Sequence, residues 1–82
     1  MSLADRIREH AYQTYVVPAR AAGQKTVRFR AAEIHDALGL VRRHPAVTGA
    51  IGTDKFERTY KVKLAKREGP TSGADVWFTF DV

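Results

Sequence analysis

The spacing of apolar positions changes repeatedly along the chain, and each change marks an element. Leu3, Ile7, Ala11 and Tyr15 recur every fourth residue while Arg6, Arg8, Glu9 and Gln13 fall off that stripe, which predicts an amphipathic first helix. Ser2 suits its N-cap, and Asp5 lies where the positive end of the helix dipole favours an acid. Pro18 is expected to break or kink this helix, with a short extension from Ala19 to Ala22 that Gly23 stops. Thr26-Val27-Arg28-Phe29-Arg30 then alternates as a short strand does, with Val27 and Phe29 on one face and the arginines on the other. Residues Ala31 to Leu38 return to helical spacing, with Ile34, Ala37 and Leu38 inward and Gly39 as the stop. Leu40 to His44 reads as a turn, and Pro45 as the first position of a third helix in which Val47, Ala50 and Ile51 share a face and Gly52 marks the end. A last turn from Thr53 to Arg58 can follow. Tyr60, Val62 and Leu64 next alternate with Lys61, Lys63 and Ala65, and Val76, Phe78, Phe80 and Val82 with Trp77, Thr79 and Asp81. With Gly69-Pro70-Thr71-Ser72-Gly73 between them as a loop, these two runs predict a β-hairpin with one apolar face.

The element order is therefore α-β-α-α-β-β, an α+β fold with three helices packed on a small antiparallel sheet. Its predicted core is Ile7, Tyr15, Phe29, Ile34, Leu38, Val47, Ile51, Val62, Phe78 and Phe80. At 82 residues there is room for a single domain, residues 1–82. A content of 44% hydrophobic and 28% charged residues is that of a chain able to bury a core rather than stay disordered. No cysteine is present, so packing has to stabilise the fold without disulfides. No apolar run approaches the ~20 residues of a membrane span, and the first residues lack a basic segment followed by an apolar one, so the expectation is a cytoplasmic protein with no membrane partner.

Charge adds the first functional hint. Fourteen Lys and Arg against nine Asp and Glu give a net charge of +5, which attracts polyanions. The excess is concentrated between Arg42 and Arg67, where Arg42, Arg43, Lys55, Arg58, Lys61, Lys63, Lys66 and Arg67 are opposed by Asp54 and Glu57.

Ala31-Ala32-Glu33-Ile34-His35-Asp36-Ala37-Leu38-Gly39-Leu40, followed by a helix held through Val47 and Ile51 and then by a basic hairpin, resembles a winged helix-turn-helix DNA-binding domain. That resemblance implies that residues Arg43 to Ile51 form the helix that enters the major groove and that Lys66 to Gly73 form a wing gripping phosphates or the minor groove. The segment from Thr26 to His35, followed by Pro45-Ala46-Val47, is also similar to short modules attached to prokaryotic restriction-type ATPases. The expected function is double-stranded DNA binding by a regulator or accessory module, with Arg42, Arg43, His44, Thr48, Gly49, Lys55, Lys66 and Arg67 as its contacts. Around Val47 and Ile51, the outward positions of the third helix are Pro45, Thr48, Gly49 and Gly52, of which only Thr48 carries a hydrogen-bonding side chain, so base readout should be modest. The same smooth face suits a protein partner or a homodimer, and an interaction adaptor without DNA binding is the alternative reading.

Each basic residue also has a plainer role. Arg42 and Arg43 are either solvated turn residues or phosphate contacts, and Lys61 and Lys63 more simply guard an exposed strand. Trp77 points away from Phe78 and Phe80; packing against the Lys61 and Lys63 stems competes with stacking on a base. His10, His35 and His44 have no metal-binding spacing and there is no cysteine, so no metal or cofactor is expected. No phosphate-binding loop, nucleophile elbow or dinucleotide fingerprint occurs, which leaves no expectation of catalysis or of a small-molecule substrate.

Overall fold

The computed structural model describes residues 1–70 and 73–82; the tip of the predicted wing loop, Thr71 and Ser72, lies outside the described residues. A helical run opens the chain: α1 (Leu3–Ala11), a π-helical turn (Tyr12–Val16) and α2 (Val17–Ala21). Ser2 caps it reciprocally, its hydroxyl accepting from Asp5 N–H at 3.1 Å while the Asp5 carboxylate accepts from Ser2 N–H at 3.3 Å. Pro18 does not break the helical run, which passes through it into the expected extension, α2. Proline has no N–H to donate and its ring crowds the preceding turn, and the backbone widens just ahead of it, so that Val17 N–H reaches the Tyr12 carbonyl five residues back. Gly23, in the left-handed region, closes α2.

Strand β1 (Thr26–Arg30) leads directly into α3 (Ala31–Ala37). The first turn of α3 finds partners for its exposed donors: Glu33 accepts from Arg30 N–H at 2.9 Å, and the Ala31 and Ala32 amides donate to the carbonyls of Val76 and Ala74. This fastens α3 to the segment that enters β3. Helix α4 (His44–Ile51) follows, and then a separate helix α5 (Asp54–Tyr60) where one loose turn was expected. Phe56 explains the difference. It is completely buried, and side chains four residues apart share a helix face, so the Phe56–Tyr60 pair holds these residues helical. Tyr60 and Lys61 are accordingly not in a strand: Tyr60 ends α5 and Lys61 is its left-handed cap, with φ 56°. Arg20 secures that end, donating to the carbonyls of Tyr60 and Lys61 at 2.9 Å each, a favourable place for a cation at a helix C-terminus.

Strands β2 (Lys63–Glu68) and β3 (Trp77–Asp81) complete a three-stranded antiparallel sheet in the order β1-β3-β2. Beside Ala65 the register slips, because Leu64 pairs with Phe80 whereas Lys66 pairs with Thr79. Such a bulge turns every following side chain to the opposite face. Arg67 therefore shares the helix-facing side with its partner Phe78, while Lys66 and Glu68 share the outer side with Thr79 and Trp77.

The core forms between that inner sheet face and the helices, from Ile7, Val16, Phe29, Ile34, Val47, Ile51, Phe56, Val76, Phe78 and Phe80. Of the residues predicted for it, Tyr15 and Leu38 are only half-buried and pack against its edge, while Val16 and Phe56 were not foreseen and Val76, expected on the apolar face of the hairpin, joins it. No helix among the described residues is long and apolar enough to cross a membrane.

Candidate functional site

The basic residues predicted to act together divide into three places. Arg42 and Arg43 stand exposed in the turn before α4, where Arg42 adopts a left-handed backbone with φ 54° that non-glycine residues rarely hold. Arg67 lies at the other end of α4, its guanidinium carbon 5.4 Å from the Phe78 ring centre. Between these ends runs a shallow cleft of about 170 Å³, lined by Pro45, Thr48, Gly49, Gly52, Thr53 and Arg67. Eight residues of α4 rise about 12 Å, the length of three to four base-pair steps.

Pro45, Gly49 and Gly52 form the outward face of α4, as the helical spacing predicted. Thr48 does not. It is 3% exposed, and its hydroxyl donates to the Pro45 carbonyl at 3.1 Å, so the one side chain expected to reach a base is already engaged inside the protein. It sits one residue from Val47 and three from Ile51, close enough to the buried stripe for the cleft wall to cover it.

Lys55 is elsewhere. It lies on α5 with Nζ 3.7 Å from Asp5, beside a groove between α1 and α5 that shares no lining residue with the α4 cleft. Within that groove Tyr60 O–H donates to Glu9 at 2.9 Å, and burial together with this bond pushes the phenol up to about 12. The Arg8 guanidinium, with the Ser2 hydroxyl and amide, holds Asp5 down at about 2.

Lys66 and Arg67 belong to β2 rather than to the wing loop, and the bulge sends them to opposite faces of the sheet. Only Arg67 faces α4. Lys66 extends along the outer face to Glu68, 3.7 Å away. On that outer face Trp77 packs under Arg28, whose guanidinium carbon is 3.9 Å from the ring centre, rather than under Lys61 and Lys63 stems.

His44, the first residue of α4, stacks its ring on that of His35 with centres 3.8 Å apart. Two residues of this corner escaped the sequence reading. Val41 is an apolar side chain left 75% exposed beside Arg42. His35 is 5% exposed, and its Nε2 accepts the Arg43 backbone N–H at 3.1 Å. Its place one turn before Gly39, on the flank facing the next helix, was the available signal.

No group of three or more His, Cys, Asp or Glu among the described residues is arranged to hold a metal ion. No family model, curated protein or solved structure matches the chain.

Proposed function

We propose that this chain is a winged helix-turn-helix domain that binds double-stranded DNA, with α3 and α4 as the paired helices and the β2–β3 hairpin as the wing. The observation that carries the proposal is the α4 edge: a bare face of Pro45, Gly49 and Gly52 with Arg42 and Arg43 at one end and Arg67 at the other. Small residues let a helix approach a phosphate chain closely, and cations about one helix length apart can meet phosphates separated by about three to four base-pair steps. The positive end of the α4 dipole coincides with Arg42 and Arg43, which adds to the attraction for anions. With Thr48 turned inward, the outward face of α4 at Pro45, Gly49 and Gly52 presents no side chain suited to a base edge, so recognition along that face rests on backbone contacts and DNA shape.

Fluorescence anisotropy of a labelled duplex titrated with the protein tests this. Binding should be lost by steps in Arg43→Ala and Arg67→Ala and kept in Lys55→Ala, whose ammonium belongs to the α1–α5 groove. An absence of duplex binding at physiological salt, joined to capture of a protein partner that is sensitive to Gly49, would establish the adaptor reading in its place.

A further inference from the structure

His35 is the one histidine inside the molecule, and both of its ring nitrogens have assigned neighbours. Nε2 accepts the Arg43 N–H at 3.1 Å, and Nδ1 lies 3.3 Å from the Asp36 carboxylate. A nitrogen that accepts cannot carry a proton, so the ring is neutral with its hydrogen on Nδ1, directed at Asp36. One face of the ring is covered by His44. The bond to Arg43 spans the whole turn between α3 and α4, from a buried ring on the first helix to the residue that precedes the second. It fixes the backbone immediately after Arg42, whose left-handed conformation costs free energy and persists only where the surroundings hold it.

We infer that His35 is the positioning residue for the basic corner formed by Arg42, Arg43 and His44, and that it acts only in its neutral form, so that acid releases the corner. Protonation at Nε2 replaces an acceptor by a donor aimed at the Arg43 N–H, and two donors cannot share that line. Among the described residues, the titratable or charged ones in hydrogen-bonding or ring contact with His35 are Asp36 on α3, Arg43 in the turn and His44 on α4. The Asp36 carboxylate is exposed and lies on the Nδ1 side of the ring. Because Nδ1 already carries its hydrogen, the proton taken up in acid enters at Nε2, where the latch is made. The backbone bond is therefore lost on protonation whatever Asp36 contributes. As a link between pH and grip, the inference rests on the DNA-binding reading; as a statement about the turn, it stands apart from it.

The test separates the two. Exchange of the Arg43 amide proton with water, followed by NMR and corrected for intrinsic exchange, should speed up by about fivefold or more between about pH 7.5 and pH 5, the range in which imidazole titrates and the size expected for one lost hydrogen bond. In His35→Gln, whose amide oxygen can accept the same bond but does not titrate, Arg43 protection should be independent of pH. Corrected exchange that is flat in the native chain, or an acid response that survives in His35→Gln, overturns the inference. Nitrogen shifts of the native histidine rings give a check that needs no variant, since a hydrogen on Nε2 of His35 at neutral pH would also overturn it. Duplex affinity is measured over the same pH range in the native chain and in His35→Gln, which share every other titrating group. The native affinity should fall relative to that of the variant as the solution is acidified. Latch behaviour without duplex binding at any pH would sink the DNA reading alone, whereas duplex binding with no latch behaviour would sink this inference alone.

Discussion

The guanidinium of Arg67 occupies the space that a side chain at Gly52 would need: a methyl group there would lie 3.0 Å from Arg67 Nη1 and 2.9 Å from the Thr48 carbonyl. Gly49, one turn earlier on the same face, has nothing within 4 Å of the corresponding position. The two glycines should therefore respond oppositely. Gly49→Ala should stabilise the fold by about 0.5–1 kcal/mol through helix propensity, yet weaken duplex binding by placing a methyl group on the approach surface. Gly52→Ala should displace Arg67 and weaken duplex binding with no gain in stability. Urea melts and duplex titrations on the two variants decide this, and unchanged affinity in Gly49→Ala would remove α4 from the contact surface.

Backbone conformation supplies a second contrast. Gly69 has φ 100°, and any Cβ there would collide with the Asp75 carbonyl, so Gly69→Ala should lose about 1–3 kcal/mol from conformation alone and more from the clash. Lys61 holds a left-handed angle with a side chain attached. Lys61→Gly should accordingly stabilise by about 1 kcal/mol. Equal melts for native and Lys61→Gly protein would show that the α5 cap does not carry that strain.

Core truncations rank differently in the structure than in the sequence. Phe56→Ala and Phe78→Ala should each cost about 3–5 kcal/mol, because both rings are wholly buried. Leu38, which packs on the edge of the core, should cost about 1–2 kcal/mol as Leu38→Ala, since part of its side chain already meets water. Chemical denaturation of the three variants gives the order directly.

Where period and burial agree, the sequence was legible: β1, the position of α3, the glycine stops at Gly23 and Gly39, and the apolar face of β3 all follow from spacing, although Ala37, expected inward on α3, is exposed and Ala31, Ala32 and His35 are buried with Ile34. Tyr60 shows why the boundary after α4 was not. It satisfies both an alternating pattern with Val62 and a fourfold pattern with Phe56, and only the burial of Phe56 decides between them. Lys66 and Arg67 exchanged faces for a related reason, since one unpaired residue at Ala65 reverses the alternation without leaving a mark in composition. Among the candidate residues, the exposed positions of Arg42, Arg43 and Gly49 were legible because turn and helix spacing fix them. Lys55 was misplaced because charge clustering in sequence says nothing about which groove a helix faces.

Alkaline stability should depend on Tyr60. Its phenol is raised to about 12 by burial and by its hydrogen bond to Glu9, while a tyrosine in the unfolded chain ionises near 10. A raised acid favours the neutral form in the folded state, so its contribution is complete below about pH 10 and disappears as pH rises toward about 12. Tyr60→Phe should flatten that alkaline limb of a stability profile. Asp5, held at about 2, works at the other end: its contribution is present above about pH 4 and is lost as pH falls toward about 2.

Salt dependence is the sharpest measure of how many cations meet DNA, because each phosphate contact releases counterions and changes the slope of log K against log[salt] by about −0.9. Five basic residues in the sequence, Arg42, Arg43, Lys55, Lys66 and Arg67, would supply about four to five phosphate contacts and hence a slope of roughly −4. The structure keeps three of them on the α4 edge, with Lys55 beside Asp5 and Lys66 beside Glu68. A slope near about −2.7 is therefore expected, and Arg43→Ala or Arg67→Ala should each bring it to about −1.8. Lys55→Ala and Lys66→Ala should leave it unchanged. Because phosphate contacts carry no base information, the losses should be alike on unrelated duplexes. A steeper slope that flattens in Lys66→Ala would place the outer sheet face, not the α4 edge, against the phosphate chain.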